Sequence, residues 1–184
     1  MSRLTKLEVF KYYGSPYLED PLKSFVLPTS FKRLTLTMSH YFVWAYLSSI
    51  VMMLPNLEQL KLKHCRTFND EWRRSVEFSL SDEFRLSDGH KFKSMKLLLL
   101  SGLALKHWEA SSDNFPNLKC LVLKKCNRLQ EIPVGFGEIG TLESIELHDC
   151  SITAEDSTRE LEQEQEDMWN YFLKVYIHNS RSTF

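Results

Sequence analysis

Six segments of this chain repeat one short pattern, apolar-x-x-apolar-x-apolar. They read LTKLEVFKYY from Leu4, FKRLTLTMS from Phe31, LEQLKLKHC from Leu57, MKLLLLSGL from Met95, LKCLVLKKC from Leu118 and LESIELHDC from Leu142. The starts lie 27, 26, 38, 23 and 24 residues apart, which brackets the ~20–29 of a leucine-rich repeat with one long exception, Arg66–His90. That stretch reads as an insertion or a degenerate extra unit. Within each unit the x-Leu-x-Leu core alternates with period two, as a strand does, and places its leucines on one face. One such strand cannot bury that face alone, so the units must stack side by side. The predicted fold is α/β: a leucine-rich-repeat solenoid with a parallel sheet on its concave face.

Leucine content agrees with that reading. The chain holds 28 leucines in 184 residues, more than an average domain of this size would use, and a repeating core consumes them at this rate. A net charge of -1 argues against a nucleic-acid clamp, which would carry a basic surplus. The first residues alternate charged and apolar types, with no apolar core of a secretory signal, and the longest apolar run, Tyr41–Leu54, is too short to span a membrane. That run is expected to be a buried helix, with Ser39 as its cap and Pro55 at its end. A cytoplasmic protein with reduced cysteines is the expectation.

After the repeats, about residues 1–152 with their longer unit at 66–94, the pattern changes. Residues 153–184 are read as a C-terminal cap: an acidic helix capped by Thr153, then FLKVYIH, where Leu173, Val175 and Ile177 alternate with Lys174, Tyr176 and His178. Seven acids against one base fall between Glu155 and Asp167, so the body of the chain is mildly basic. No cap precedes Leu4, and the chain is expected to be part of a longer protein or a truncated relative of one.

Motifs that could carry chemistry are few. Gly135, Gly137 and Gly140 satisfy Gly-x-Gly-x-x-Gly, but QEIPV precedes them and a strand follows, where a dinucleotide site needs a strand before and a helix after. They read as turn glycines with permissive backbone angles. Cys65, Cys126 and Cys150 each fall three residues after the last strand leucine, the Asn/Cys slot of the repeat, which is structural. His64 and His148 beside them stand too many strands apart to share a metal. No catalytic, cofactor-binding or metal-ligating residues are assigned, and no enzymatic activity is expected.

The outward positions are more informative. Across the strands they form three rows, in which Leu97, Leu99, Cys120 and Val122 are apolar where solvent-facing residues should be polar. Lys61, Lys63 and Lys124 border them. An apolar centre with a charged rim is the anatomy of a protein interface, so these seven residues are the candidate partner-binding site. A register shift burying Leu97 and Leu99 is the bland alternative.

The stretch FPNLKCLVLKKCNRLQEIPVGFGEIGTLESIELHDCS, followed by ITAEDSTRELEQEQED and FLKVYIHNS, resembles the C-terminal end of plant nucleotide-binding leucine-rich-repeat disease-resistance proteins. The late-blight-resistance type, with a coiled-coil N-terminus, is the most similar, with MLPNLEQLKL, EFRLSDGHKF and LKHWEASSDNFP adding to the likeness across residues 50–184. Residues 1–49 fit only as ordinary repeats. The resemblance implies a recognition and autoinhibitory module in intracellular immunity. Its implied partners are a pathogen effector or a guarded host protein, and the receptor's own nucleotide-binding switch domain. Peripheral placement at the plasma membrane would come through the parent receptor. The phosphate loop of that switch is missing here, so nucleotide binding does not carry over. A substrate-receptor repeat of a ubiquitin ligase is the alternative scaffold.

Overall fold

The computed structural model describes residues 11–14, 30–38, 54–64, 83–86, 89, 91–103, 105–169 and 172–180. The expected helix at Tyr41–Leu54 falls outside them except for Leu54, as do Ser39 and Cys65.

Seven parallel strands form one sheet in sequence order: β1 (Lys11–Gly14), β2 (Arg33–Met38), β3 (Gln59–His64), β5 (Leu97–Ser101), β7 (Cys120–Lys124), β8 (Ser144–His148) and β9 (Lys174–His178). One helix, α1 (Ile152–Asp167), stands between the last two strands. Alternation decides which side of the sheet is buried. Leu34 and Leu36, Leu60 and Leu62, Leu98 and Leu100, Leu121 and Leu123, and Ile145 and Leu147 are all at most 2% exposed. Burying each contributes roughly 1.5–3 kcal/mol. They meet residues of the returning segments in one core, where Phe92 stacks on Phe115 at 5.2 Å and Trp108 meets Phe136 edge-on at 4.9 Å.

The same local devices recur from unit to unit. A tight turn precedes β3, β5, β7 and β8, with Leu57 N donating to Leu54 O, Met95 N to Phe92 O, Leu118 N to Phe115 O and Leu142 N to Ile139 O. The residue before the last member of each turn reaches back one unit: Ser94 Oγ donates to Pro55 O, Asn117 Nδ2 to Lys93 O and Thr141 Oγ1 to Pro116 O. Strand ends repeat as well. Gly102, Lys125 and Asp149 follow the last residues of β5, β7 and β8 with φ of 68°, 54° and 51°. Each donates its N–H to the next strand's final carbonyl, on Lys124, His148 and His178 respectively. Two of these left-handed positions carry a Cβ, which costs about 1–2 kcal/mol and is offset by a hydrogen bond at a fixed place in the unit.

Two expectations are corrected, the start of β1 and the cap of α1. Lys11 rather than Glu8 pairs with Thr35, so β1 runs three residues later than the pattern from Leu4 implied. Two patterns overlap there, Leu4-x-x-Leu7-x-Val9 and Leu7-x-x-Phe10-x-Tyr12, and the second leaves 24 residues to Phe31, close to the spacing of the C-terminal units. Among its described residues the stretch 66–94 adds no strand to the large sheet, and β3 pairs directly with β5. Its strand β4 (Glu83–Arg85) instead pairs in parallel with β6 (His107–Glu109) in a separate two-stranded ladder. Finally, Ser151 and not Thr153 caps α1, accepting from Ala154 N at 3.3 Å; both hydroxyls also donate to Leu129 O.

The cap is tied down by side chains of α1 and of the last repeat turn. Glu155 is 5% exposed and accepts from Asn179 Nδ2 at 3.0 Å, so it departs from the solvated acidic face expected of this helix. Asp149 accepts from Ser180 N and Oγ. Lys174 N bonds to Glu143 O in the residue before β8, which by alternation turns the Val175 N–H toward the free edge, where Glu162 Oε1 accepts it at 3.0 Å. One donor of the open strand edge is thereby satisfied.

Candidate functional site

The sheet face opposite the core carries the three outward rows, and the register between Arg33 and His148 is unshifted from the sequence reading. Row one is Arg33, Gln59, Leu97, Cys120, Ser144 and Lys174. Row two is Thr35, Lys61, Leu99, Val122, Glu146 and Tyr176. Row three is Thr37, Lys63, Ser101, Lys124, His148 and His178.

All seven candidate residues therefore share one face. Leu97 pairs with Cys120 and Leu99 with Val122, giving an apolar square over two adjacent strands. Leu97, Leu99 and Cys120 are half-buried. Val122 differs from the expectation of an exposed residue, being 5% exposed, yet it stands outside the core on the outward side. Lys61 flanks Leu99 in row two, and Lys63 and Lys124 bracket Ser101 in row three. None of these three lysines makes an ion pair with a described residue, in contrast to Lys119, which pairs with Glu143 at 2.6 Å.

Strand β9 extends the face in a way the repeat reading missed. Tyr176 continues row two at 48% exposure, and the His178 ring stacks on His148 at 4.6 Å. The period-two alternation of FLKVYIH was the signal available for it. Glu146, the single acid in the three rows, has local partners: His148 Nε2 lies 3.5 Å from one carboxylate oxygen and Cys120 Sγ 4.0 Å from the other. Burial pushes the Cys120 thiol up, against a hydrogen bond with Ser144.

At the strand-start edge, Lys32, Glu58 and Lys96 form a clamp with contacts of 2.9 and 3.0 Å. Hydrogen bonds from Lys32 and Lys96 hold the Glu58 carboxyl at about 2, below the usual 4.5. Glu58 and Lys96 also line a shallow polar groove with Lys93, Asn117 and Thr141.

The cysteines at the opposite edge are unbridged. Cys126 Sγ donates to Leu100 O and Cys150 Sγ to Leu123 O, the last core leucine of the preceding unit in both cases. Interaction with Cys150, together with burial, pushes the Cys126 thiol well up. Gly135 and Gly137 lie in a short helical turn that leads to β8, with no helix N-terminus following, so the dinucleotide geometry is missing. The reason for Gly135 is contact: a Cβ there would come 3.0 Å from Ser111 Cα, where a permissive backbone angle was expected. Among the described residues no His, Cys, Asp and Glu side chains are grouped for a metal ion, and no helix is long and apolar enough to cross a membrane.

No family model matches the chain. It is 34% identical over 173 residues to putative late blight resistance protein homolog R1B-16 of Solanum demissum, covering 94% of this chain and 12% of that protein. Homolog R1B-13 of the same plant is 34% identical over 94% of this chain and 14% of its own length. A shorter homologue from that plant is 32% identical over 95% of this chain and 20% of its own length. The chain is thus related to one part of these late blight resistance homologues, spanning about an eighth to a fifth of their length. The similarity reaches beyond residues 50–184 to nearly the whole chain.

Proposed function

We propose that this chain is a leucine-rich-repeat solenoid module of a plant intracellular immune receptor, from the C-terminal end of its repeat region. It serves disease resistance by binding protein partners through the uncovered, concave sheet face. Those partners are a pathogen effector or a guarded host protein, and the receptor's nucleotide-binding switch domain, which the module restrains until recognition. The module itself carries out no catalysis and works in the cytoplasm.

The observation that carries this reading is the unbroken register from β2 to β9, which assembles Leu97, Leu99, Cys120 and Val122 on one face with unpaired lysines around them. Leu97, Leu99 and Cys120, held half-open on a rigid sheet beside the buried Val122, lose little conformational freedom on binding, which favours a recognition surface. The recurring turns and reach-back hydrogen bonds support the repeat architecture, and the late blight resistance relatives support the defence role.

The test is to graft the chain in place of the matching segment of a late blight resistance homologue and score the defence response in leaf tissue. The graft should keep the receptor silent at rest. Leu99→Glu with Val122→Glu, at unchanged protein level, should release it or abolish its triggered response. A graft whose resting and triggered behaviour ignores both substitutions contradicts the proposal.

A further inference from the structure

Charge is distributed unevenly about this sheet. Of the eighteen outward positions in the three rows from β2 to β9, five are cationic (Arg33, Lys61, Lys63, Lys124 and Lys174) and one, Glu146, is anionic. The chain as a whole is at -1, and α1 alone holds seven acids and one base. The basic surplus of the body is therefore concentrated on the face that no described element of the fold covers.

Its lysines are also available. Elsewhere the lysines at the strand-start edge are paired, Lys32 and Lys96 sharing Glu58 and Lys119 meeting Glu143. Lys61, Lys63 and Lys124 have no such partner among the described residues, and Glu146 is engaged by His148. Two strand steps separate Lys63 from Lys124, about 10 Å at the usual strand spacing. The Leu99–Val122 pair lies one row away, beside the line that joins them.

We infer that the sheet face opposite the core takes an acidic protein segment, one whose carboxylates meet Lys61, Lys63 and Lys124 while an apolar side chain seats on the half-buried Leu97 and Leu99, beside Val122. This rests on the recognition reading above and adds to it the chemistry of the partner. A basic partner would face five like charges, and a neutral apolar one would leave three ammonium groups without counter-charge as water is expelled, which is costly. A nucleic acid would satisfy the lysines but offers nothing comparable to the apolar pair.

The test uses the whole chain and a fluorescent peptide with two glutamates on each side of a Leu-Phe pair, read by anisotropy. Versions with Gln for Glu, Lys for Glu and Ala for Leu-Phe serve as comparisons, together with a single-stranded oligonucleotide. The acidic peptide should bind at least tenfold more tightly than the Gln, Lys and Ala versions. Its affinity should fall at least tenfold with Lys63→Glu plus Lys124→Glu, with Leu99→Ser and with added salt, but hold in Lys106→Glu, which changes a lysine of the return between β5 and β7. Matched melting temperatures exclude misfolding as the cause.

Equal binding of the acidic and Gln peptides, or indifference to the lysine reversals, overturns the inference. So does oligonucleotide binding tighter than the peptide and insensitive to Leu99→Ser, which would assign the face to nucleic acid. If the peptide fails while the grafted receptor still depends on Leu99 and Val122, the acidic partner is wrong and the recognition reading stands. If both fail, the recognition reading falls too.

Discussion

Leu99 and Leu100 are neighbours in β5 and lie on opposite faces of the sheet: Leu100 has no exposed surface, whereas Leu99 stands in an outward row between Lys61 and Val122. Substitution should separate them sharply. Leu100→Glu places an unpaired charge in the core and should cost about 4 kcal/mol or more, a large fraction of a domain's stability. Leu99→Glu keeps its carboxylate near water and near Lys61, and should change stability by no more than about 1 kcal/mol. Urea denaturation of the two variants measures the difference; equal losses would mean that Leu99 is a core residue.

Gly135 and Gly140 belong to one sequence motif but differ in surroundings. A Cβ at Gly135 would press on the backbone of Ser111 and Ser112 at 3.0 and 3.1 Å, while one at Gly140 meets nothing within 4 Å. Gly135→Ala should therefore destabilise by about 1–3 kcal/mol, as overpacking does, and Gly140→Ala should be near neutral. Thermal melts of both variants check this.

The C-terminal cap depends on a few hydrogen bonds that can be removed singly. Ser151→Ala removes the N-cap of α1 and should cost about 1 kcal/mol. Glu162→Ala should leave the global stability within about 1.5 kcal/mol of wild type but speed hydrogen exchange at the Val175 amide, which would lose its acceptor on the free edge. Unchanged exchange at Val175 in Glu162→Ala would show that the helix does not protect that edge.

Acid should weaken the strand-start edge before the core. The Glu58 carboxyl is lowered from 4.5 to about 2 by Lys32 and Lys96, so its contribution is fully present above pH 4.5 and is lost as pH falls through about 2. Wild type should exceed Glu58→Gln in urea midpoint at neutral pH, with the gap closing between pH 4.5 and 2 and shrinking in high salt. A gap independent of pH would mean that the clamp does not form in solution.

How much of this was legible in the sequence follows from the range of the interactions involved. The outward rows from Arg33 to His148 could be read because paired leucines such as Leu60 and Leu62, alternating with Lys61 and Lys63, force a period-two register, whereas the four leucines of β5 leave its register to the pairing with β3 and β7. The same logic failed at β1, where Leu7 serves two overlapping patterns and the choice between them rests on pairing with β2. The β4–β6 ladder has only three residues a side, too few for a periodic signal, and arises from two returns lying next to each other. Gly135 was singled out for the wrong reason because its neighbour Ser111 is distant in sequence. Val122 was placed on the right face but not seen to be buried, since its cover is a property of the assembled rows. Thr153 and Ser151 are both good capping residues, and only the path of the chain past Leu129 selects the serine.

The central claim is that the uncovered face, and specifically Leu99 and Val122, is where this module meets its protein partner. Its most direct test is the affinity of the receptor's switch domain, or of the effector, for wild-type chain and for Leu99→Glu and Val122→Glu, each measured beside a melting curve. The account predicts that Leu99→Glu keeps a near-native melting temperature and loses at least tenfold in affinity, with Val122→Glu losing affinity at a larger thermal cost. Wild-type melting temperature together with full binding in both variants would contradict it.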